Sequence, residues 1–544
     1  MAGEVTTFRK LGDIPSPREY GLPHESWRPS QYQMVQTLLG KKEGSVTLMQ
    51  APTGSGKTGI SRGVAGKKSV TALVKTKMLQ QTNYDGIYKF DILFGRGNYD
   101  CIHPEQMIED AKADQCLYES RMDECEYVDE CPYVMRKRLV QRSRVRSLNY
   151  SYFLTSRWTR NSKFATDYLF LDECHLLSDE TVEWVGLTVR DSDRLKWGLP
   201  SFPTTYQSTK EGVDRCLDWA EQAIGVLETK LEGLTGKDAN TLSKKSRIER
   251  LVSKLTFTCS AIHRAPHDWY CRAGERALEY MGTPRPGLMI KPLTARHHFP
   301  KLFLGIYPRV VMMSATIGAP EFMAEELGIE HWEYEQVPNQ WGPEQRPVHV
   351  PECPSLGYKS PDSHWVKQAE IIKAQLEALP EDWCGVIHTN SYAQATNLAK
   401  RLDKLNFNTM RLYLPRAGTP TNQQLSDWEM EKKRYRGRLI ITPSFSEGVD
   451  LTEERICIVA KTPFASVSPG SFDYERMLYS SSMYKQRTAW KTEQMCGRTR
   501  RGREIDYDTS FEKRGWVSVV DGAFVARGVR KHCSRDFVEA LVYC

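Results

Sequence analysis

No run of apolar residues in this chain is long enough to cross a bilayer, which takes roughly 18 to 20 residues. The longest candidate, residues 302–317, is interrupted by Pro308 and Arg309. The opening residues, MAGEVTTFRK, also lack the apolar segment of a signal peptide. Together these absences predict a soluble protein with no membrane partner, in the cytoplasm of a bacterium or a phage-infected cell, or in the nucleus of a eukaryote.

Internal repeats and long low-complexity tracts are absent as well. The composition is 40% hydrophobic, 26% charged and 10% aromatic, which is typical of globular domains and excludes a mainly disordered chain. A length of 544 residues predicts three or four domains at about 150 residues per domain. The formal net charge of +7 is too small for this length to indicate a polyanionic partner by itself.

Cysteine is too sparse for a disulfide framework, since the chain has 14 cysteines in 544 residues. Four of them nevertheless fall close together, with the spacing C-x14-C-x8-C-x5-C. In a chain without a secretion signal, such a group indicates a metal or iron–sulfur site, and the absence of a CxxC knuckle counts against a zinc ribbon. The four are Cys101, Cys116, Cys125 and Cys131.

Basic residues cluster strongly in one segment, residues 136–146, where six of the eleven residues are Lys or Arg. Such a stretch is either a solvated helix face or a surface that contacts phosphates, and charge alone does not decide between them. The six are Arg136, Lys137, Arg138, Arg142, Arg144 and Arg146.

Short, continuously apolar segments separated by helical patterns predict parallel α/β sheets. The clearest are SVTLMQ (45–50), DYLFL (167–171) and RVVMMSAT (309–316), and a second α/β pattern begins after about residue 325. Between residues 190 and 290, apolar residues instead recur at spacings of three and four on both sides of the polar loop TGKDAN. This spacing predicts a helical hairpin inserted within the first α/β domain.

Residues 51–58, APTGSGKT, fit the P-loop pattern and follow a predicted buried strand. Backbone N–H groups at such a helix start cradle phosphates, and the glycines permit close approach. Lys57 is predicted to neutralise the β- and γ-phosphates of ATP, and Thr58 to ligate Mg²⁺. The predicted nucleotide-binding residues of this loop are Thr53, Gly54, Ser55, Gly56, Lys57 and Thr58.

Two acidic residues follow the apolar strand 167–171, as a Walker B pair should. Asp172 is predicted to hold Mg²⁺, directly or through water, and Glu173 to orient and deprotonate the attacking water. A strand followed by two acids is common in surface turns, but its combination with an upstream P-loop favours a nucleotide-hydrolysing site.

The segment Asp-Glu-Cys-His at 172–175 resembles the DEAH-like box of superfamily 2 helicases. Residues 28–31, RPSQ, resemble the segment that reads adenine in that superfamily, which implies nucleotide contacts for Arg28 and Gln31. Residues 75–77, KTK, resemble motif Ia, which contacts the DNA backbone, and residues 314–316, SAT, resemble motif III, which links hydrolysis to DNA binding.

Two later segments complete the series. Residues 446–450, SEGVD, resemble motif V, which implies a nucleotide-binding role for Asp450, and residues 494–501, QMCGRTRR, fit the QxxGRxxR of motif VI, which implies the same for Gln494. Arg498 and Arg501 are three residues apart and so lie on one helical face. They are predicted to act as catalytic arginine fingers that stabilise charge on the transferring phosphoryl group.

The four clustered cysteines lie between motif Ia and the Walker B box, as in the iron–sulfur helicases of the XPD/DinG family. Three short sequence segments also resemble that family: GRGNYDC precedes the first cysteine, VRSLNYSYFL follows the last, and IKPL (290–293) follows the hairpin. The resemblance implies an α/β fold with two RecA-like P-loop motor domains, and an iron–sulfur domain and a helical arch inserted in the first. The implied boundaries are motor 1 at 1–97, 148–190 and 288–325, a 4Fe–4S domain at 98–147, an arch at 191–287 and motor 2 at 326–544.

The same resemblance implies an ATP-dependent DNA helicase that uses Mg²⁺ and a 4Fe–4S cluster bound by the four cysteines. It would move 5′→3′ on single-stranded DNA, unwind forked duplexes and act as a monomer, with protein partners for targeting. The basic stretch after the last clustered cysteine would then lie along the path of a strand and contact phosphates without sequence choice.

The chain departs from the family pattern in three places. The cysteine spacing matches no single subgroup, so His103 could replace one ligand, and zinc or unligated core cysteines stay open as alternatives. The arch is short. After motif VI, residues 520–523 (VDGA) stand where relatives often have Asp-x-Arg, so any role of that arginine is missing.

Two other functions stay open. The first is an RNA or RNA–DNA hybrid helicase, because motor contacts are mostly to the nucleic-acid backbone. The second is a DNA-binding redox module with a vestigial ATPase. The presence of Lys57, Glu173, Arg498 and Arg501 argues against the second, since a vestigial site should have lost at least one of them.

Overall fold

The computed structural model describes residues 14–52, 55–103, 112–116, 125–205, 209–236, 239–280, 283–339, 342–357, 359–446, 449, 451, 454–465, 467–497 and 515–544. Within them, no helix is both long and apolar enough to cross a membrane.

The described residues form two seven-stranded parallel sheets and one antiparallel sheet of three strands. The strands are β1 (Val46–Gln50), β2 (Val70–Val74), β3 (Asp91–Leu93), β4 (Val145–Asn149), β5 (Tyr168–Asp172), β6 (Leu187–Arg190), β7 (Trp269–Tyr280), β8 (Thr283–Pro292), β9 (Arg309–Ser314), β10 (Glu333–Gln336), β11 (Val348–Val350), β12 (Gly385–His388), β13 (Arg411–Tyr413), β14 (Arg438–Thr442), β15 (Ile456–Val459), β16 (Trp516–Val519) and β17 (Leu541–Tyr543). The first sheet has the order β10-β1-β9-β5-β2-β4-β3, the second β13-β14-β12-β15-β16-β11-β17 and the third β6-β8-β7.

Helices connect the parallel strands and cover the sheets, as crossover connections require. They are α1 (Pro29–Leu39), α2 (Lys57–Val64), α3 (Lys77–Leu79), α4 (Pro132–Arg142), α5 (Tyr150–Thr155), α6 (Leu177–Val185), α7 (Asp191–Trp197), α8 (Lys210–Gly233), α9 (Ala239–Arg264), α10 (Phe299–Phe303), α11 (Pro320–Leu327), α12 (Asp362–Glu377), α13 (Tyr392–Lys404), α14 (Thr421–Arg434), α15 (Phe472–Tyr479), α16 (Ser481–Cys496), α17 (Ala523–Ala526) and α18 (Arg535–Glu539).

The central strands of both parallel sheets are buried on both faces, because successive side chains point to opposite sides. In β5, Leu169 and Leu171 enter one core, while Tyr168 and Phe170 enter the core on the opposite face. The second sheet alternates in the same way between its own two cores. This two-sided burial is the packing that the continuous apolar runs predicted, and the predicted class of two RecA-like α/β domains is confirmed.

The first sheet includes two segments that the sequence pattern assigned elsewhere. Strand β4 pairs with β2 and β3, although the predicted boundary at residue 147 falls inside it. Strand β10 pairs with β1, although it lies beyond the predicted boundary at residue 325. Parallel pairing therefore brings residues 145–149 and 333–336 into the first sheet.

The helical hairpin consists of α8 and α9, which pack along each other. Its apolar residues, including Leu227 and Leu255, belong to the same core cluster as Leu169 of the first sheet. Tyr133 and Val134 of α4, directly after the clustered cysteines, belong to that cluster too. The hairpin and α4 therefore share one apolar core with the first parallel sheet.

Candidate functional site

The P-loop lies between the carboxyl end of β1 and the start of α2, and Gln31 of α1 holds it in place. The buried Gln31 amide donates to the carbonyl oxygens of Ser55 and Gly56, at 3.1 and 3.3 Å, and its oxygen accepts from the backbone N–H of Arg28 at 3.0 Å. Gly56 has φ +80°, and a Cβ there would lie 2.0 Å from the Gln31 amide nitrogen. Only glycine fits this close approach.

Lys57 begins α2 and points toward the Walker B segment. Its Nζ lies 3.6 Å from Oε1 of Glu173, and both side chains are largely buried. Glu173 itself has φ 53°, in the left-handed region that non-glycine residues adopt rarely, directly after β5 ends. Backbone strain of this kind is found mostly at functional sites.

Asp172 is buried where β5 ends, and its neighbours shift its protonation. Burial raises the pKa of Asp172 to about 6, and the charge of Glu173 adds to the rise while Lys57 opposes it. Tyr84 donates to Oδ2 of Asp172 at 3.0 Å, and Tyr150 donates to its backbone oxygen at 2.6 Å. Tyr84 lies in a π-helical segment (Gln80–Ile87), a form that recurs at functional sites.

The two predicted Mg²⁺ ligands meet at Tyr84. Burial raises the pKa of the Tyr84 phenol well above its ordinary value, Asp172 adds to the rise, and a hydrogen bond with Thr58 opposes it. Thr58 and Asp172 are therefore neighbours of one side chain. An oxygen pair of this kind fits Mg²⁺, which binds through one or two carboxylates, substrate phosphates and waters.

A chain of contacts leads from Glu173 to the second sheet. Oε2 of Glu173 lies 3.5 Å from Nδ1 of His175, and that nitrogen hydrogen-bonds to Oγ of Ser314 at 2.9 Å. At the other end, Gln494 of α16 donates to Oγ1 of Thr316 at 3.1 Å. The predicted Walker B box, motif III and motif VI therefore lie along one connected route between the sheets.

The remaining predicted nucleotide residues lie outside the described part of the chain. They are Thr53, Gly54, Asp450, Arg498 and Arg501. Their roles stay predictions.

Glu493, next to Gln494, is a buried carboxyl that the sequence did not mark. Burial raises its pKa to about 7, although hydrogen bonds from the backbone N–H and hydroxyl of Ser534, at 2.8 and 2.6 Å, oppose the rise. Because the folded pKa lies above the ordinary value of 4.5, the folded protein keeps a proton that the unfolded chain releases. Stability should therefore fall as pH rises from about 4.5 through 7.

We expect Glu493→Gln to remove this dependence, because the amide stays neutral and can bond Ser534. The thermal midpoint of the variant, relative to wild type, should rise between pH 5 and about pH 7 and level off by pH 8. Thermal unfolding across that range measures it, with Glu539→Gln on the exposed side of α18 as the control. A difference that stays constant with pH would show that Glu493 is not buried as a proton-binding group.

The four clustered cysteines are all half-buried. Burial raises the pKa of Cys101, and the charges of Cys131 and Cys125 raise it further. The ring of His103 packs edge-on against Tyr127 at 5.2 Å between centroids. Within the described ranges, however, no group of three or more His, Cys, Asp or Glu side chains is assembled as a metal site. The 4Fe–4S cluster that the sequence predicts for these cysteines therefore stays a prediction.

The basic stretch at 136–146 begins in α4, which ends at Arg142, and ends in β4, which begins at Val145. Arg136 donates to the backbone oxygen of Ile92 at 2.8 Å, and Arg138 pairs with Asp129. Arg146 points into the core: it is 1% exposed and bonds to Thr71 at 2.9 Å. The prediction that residues 136–146 form one phosphate-binding surface is therefore wrong for Arg146, which is buried.

The motif Ia segment is positioned by α3 and α6. Lys75 pairs with Glu180, and Lys77 donates to Asn98 at 2.6 Å. The hydroxyl of Thr76 accepts from the backbone N–H of Leu79 and so caps α3. The segment is thus fixed on the same edge of the first sheet as the Walker B box.

A scan against protein-family models and a search of curated proteins gave no match. Among solved structures, an XPD helicase is similar over 95% of this chain and 99% of its own, with a TM-score of 0.57 at 15% identity. An XPD structure in the apo form is similar over 95% of this chain and 100% of its own, with a TM-score of 0.51 at 13% identity. The predicted resemblance to XPD is confirmed at the level of the fold, and this chain folds as XPD helicase structures do.

Proposed function

We propose that this protein is an ATP-dependent DNA helicase whose two motor domains move along single-stranded DNA and unwind duplexes. One observation carries the proposal: P-loop, Walker B, motif III and motif VI residues meet on a connected route between two parallel sheets. The contacts are Lys57 to Glu173, His175 to Ser314, and Gln494 to Thr316. A site that joins two sheets in this way suits work in which hydrolysis changes how the sheets are arranged.

In this proposal the P-loop binds ATP and Lys57 holds its β- and γ-phosphates. Lys57 pairs with Glu173 at 3.6 Å, and phosphate oxygens would compete for the ammonium and release the carboxylate. Glu173 would then orient and deprotonate the attacking water. Thr58 and Asp172 would hold Mg²⁺, which neutralises charge on the phosphates. Arg28 and Gln31 would complete the nucleotide pocket.

The second motor would supply cations to the transferring group. Gln494 already reaches Thr316 of the first motor, and Arg498 and Arg501 follow it in the chain. We propose these two as arginine fingers, and Asp450 as a further nucleotide contact. Arg498, Arg501 and Asp450 would all lie on the side of the nucleotide opposite the P-loop.

We further propose that Cys101, Cys116, Cys125 and Cys131 bind a 4Fe–4S cluster, in a domain at 98–147 that separates the strands. The charges of Cys131 and Cys125, which add to the rise of the Cys101 pKa, support it. Zinc is the alternative, and iron and zinc analysis of purified protein separates the two. The hairpin of α8 and α9 would form the arch, at 191–287.

The DNA substrate and the direction of movement rest on resemblance. An RNA or hybrid helicase uses the same contacts to the nucleic-acid backbone. A redox module with a vestigial ATPase would retain the cysteines but would not need the residues that hydrolyse ATP. The connected Lys57 and Glu173 favour an active ATPase over the redox module. We also propose that the protein acts as a monomer and reaches its sites through protein partners.

Strand displacement on matched substrates tests the proposal. We expect unwinding of DNA duplexes with a 5′ tail, little unwinding with a 3′ tail, and weaker unwinding of RNA and hybrid duplexes of the same sequence. The Glu173→Gln variant is the control for contaminating helicases. Unwinding from 3′ tails alone would overturn the proposed direction, and a preference for RNA would favour the alternative helicase.

A further inference from the structure

Arg476 of α15 crosses from the second motor into the first and is almost fully buried. Its side chain is 7% exposed. It donates to Oδ1 of Asp179 at 2.8 Å, to Oγ of Ser178 at 3.0 Å, to Oε1 of Glu326 at 3.1 Å and to the backbone oxygen of Leu293 at 3.1 Å. A planar guanidinium with five donors can hold several acceptors in fixed directions, which lysine cannot.

These partners belong to three different parts of the first motor. Ser178 and Asp179 lie in the first turn of α6, which follows the Walker B segment after one 3₁₀ turn (Cys174–Leu176). Glu326 lies on α11, the helix after motif III. Leu293 directly follows β8, the strand that returns from the hairpin. One arginine therefore contacts the elements next to both hydrolysis motifs and to the arch.

Arg476 and its partner Glu326 are both buried, so neither charge is solvated if the other is removed. Glu326 is only 8% exposed and also accepts from Ser178 and Thr294, so removal of Arg476 would leave a buried carboxylate beside these two hydroxyl groups. Breaking a buried ion pair in this way is costly. Arg487 of α16 pairs with the more exposed Asp179 and gives a second, weaker link.

The contact borders a cavity of ≈ 380 Å³ between the two motors. Residues from both sides line it, among them His175, Asp179, Arg476 and Trp490. His175 belongs to the route that joins Glu173 to Ser314. Arg476 therefore spans the two sides of this cavity close to α6, the helix that follows the Walker B segment.

We infer that Arg476 is a positioning residue that transmits nucleic-acid binding on the second motor to the hydrolysis site of the first. It does so by holding the start of α6 and the end of α11 in one orientation. The inference rests on the proposed helicase function. Among the described residues, the polar contacts of Arg476 are to Leu293, Asp179, Ser178 and Glu326 and to none of the predicted nucleotide residues. Replacing Arg476 should therefore affect the stimulated turnover of ATP and leave ATP binding nearly unchanged.

The test compares wild type, Arg476→Lys and Arg476→Ala, with Arg535→Ala as the control because Arg535 is exposed on α18. ATPase is measured with and without single-stranded DNA, together with the thermal midpoint. We expect the stimulation ratio to fall about tenfold in both Arg476 variants, within the range of coupling between linked sites. The KM for ATP should stay within about twofold of wild type, because only transition-state alignment is lost.

A purely structural role predicts a different pattern. The thermal midpoint would fall, while folded Arg476→Ala and Arg476→Lys kept the wild-type stimulation ratio, and that result would overturn the inference. If Arg476→Ala does not fold, Asp179→Asn removes the shared partner of Arg476 and Arg487, and an unchanged ratio there would count equally against it. A wild-type protein without any stimulation by DNA or RNA would instead refute the proposed function.

Discussion

Glu173→Gln should stop ATP turnover while leaving ATP binding intact. The glutamine has the size of glutamate and cannot accept the proton of the attacking water, so kcat should fall by at least about 100-fold, the usual contribution of a general base. Lys57 loses its partner at 3.6 Å and stays available for phosphates, so the affinity for ATP should stay the same or rise. Steady-state ATPase and binding of a fluorescent ATP analogue measure the two effects.

Two variants complete this test. Lys57→Ala should lose both ATP binding and turnover, because the phosphate clamp itself is removed. Glu43→Gln should behave as wild type, since Glu43 lies before β1, at the opposite end of that strand from the P-loop. Turnover of Glu173→Gln close to that of wild type would show that another group activates the water.

Cys125→Ser should separate unwinding from hydrolysis. If the four cysteines bind a cluster, losing one ligand should release the metal and unfold the local segment, because metal binding supplies much of the folding free energy of such small units. The first motor shares its core with α4 but has strands buried on both faces, so its nucleotide site should survive. We expect a paler protein that keeps DNA-stimulated ATPase and loses most unwinding of forked DNA.

The matched control is Cys544→Ser, at an exposed cysteine far along the chain. It should keep colour, iron content and unwinding. Stoichiometric zinc without iron in wild type would contradict the cluster. Wild-type unwinding rates in Cys125→Ser would contradict a strand-separating role for the segment.

The sequence predicted the elements whose patterns are local and strong. The predicted apolar strands of the first sheet begin and end within two residues of where the sequence placed them, and the two helices of the predicted hairpin lie on either side of the TGKDAN segment. Strand β10 escaped prediction because EYEQ is an edge strand with polar side chains, and edge strands need no continuous apolar run. Strand β4 escaped because Arg146 made it look like part of a charged surface.

Arg146 shows why charge along a sequence is a weak guide to exposure. The residue lies in a strand between β2 and β3, and its guanidinium is satisfied by Thr71 and by backbone oxygens of Val140 and Gln141. Thr71 is 75 residues away from Arg146 in the sequence, so only the folded sheet brings these two side chains together.

The candidate site was predictable in its motifs and not in its supporting contacts. Lys57, Asp172 and Glu173 follow from spacing and from the strands before them. Tyr84 and Arg476 carry no motif, because their roles depend on which elements meet in space. Tyr84 reaches Asp172 only through the π-helical turn that contains it, and Arg476 reaches Asp179 only across the boundary between the motors.

The most direct measurement of the central claim is ATP hydrolysis by the purified wild-type protein, with and without single-stranded DNA, beside Glu173→Gln. The account predicts slow hydrolysis alone, a large increase on adding DNA, and no increase in the variant. Hydrolysis that is absent in both conditions, or that DNA leaves unchanged while Glu173→Gln matches wild type, would contradict it.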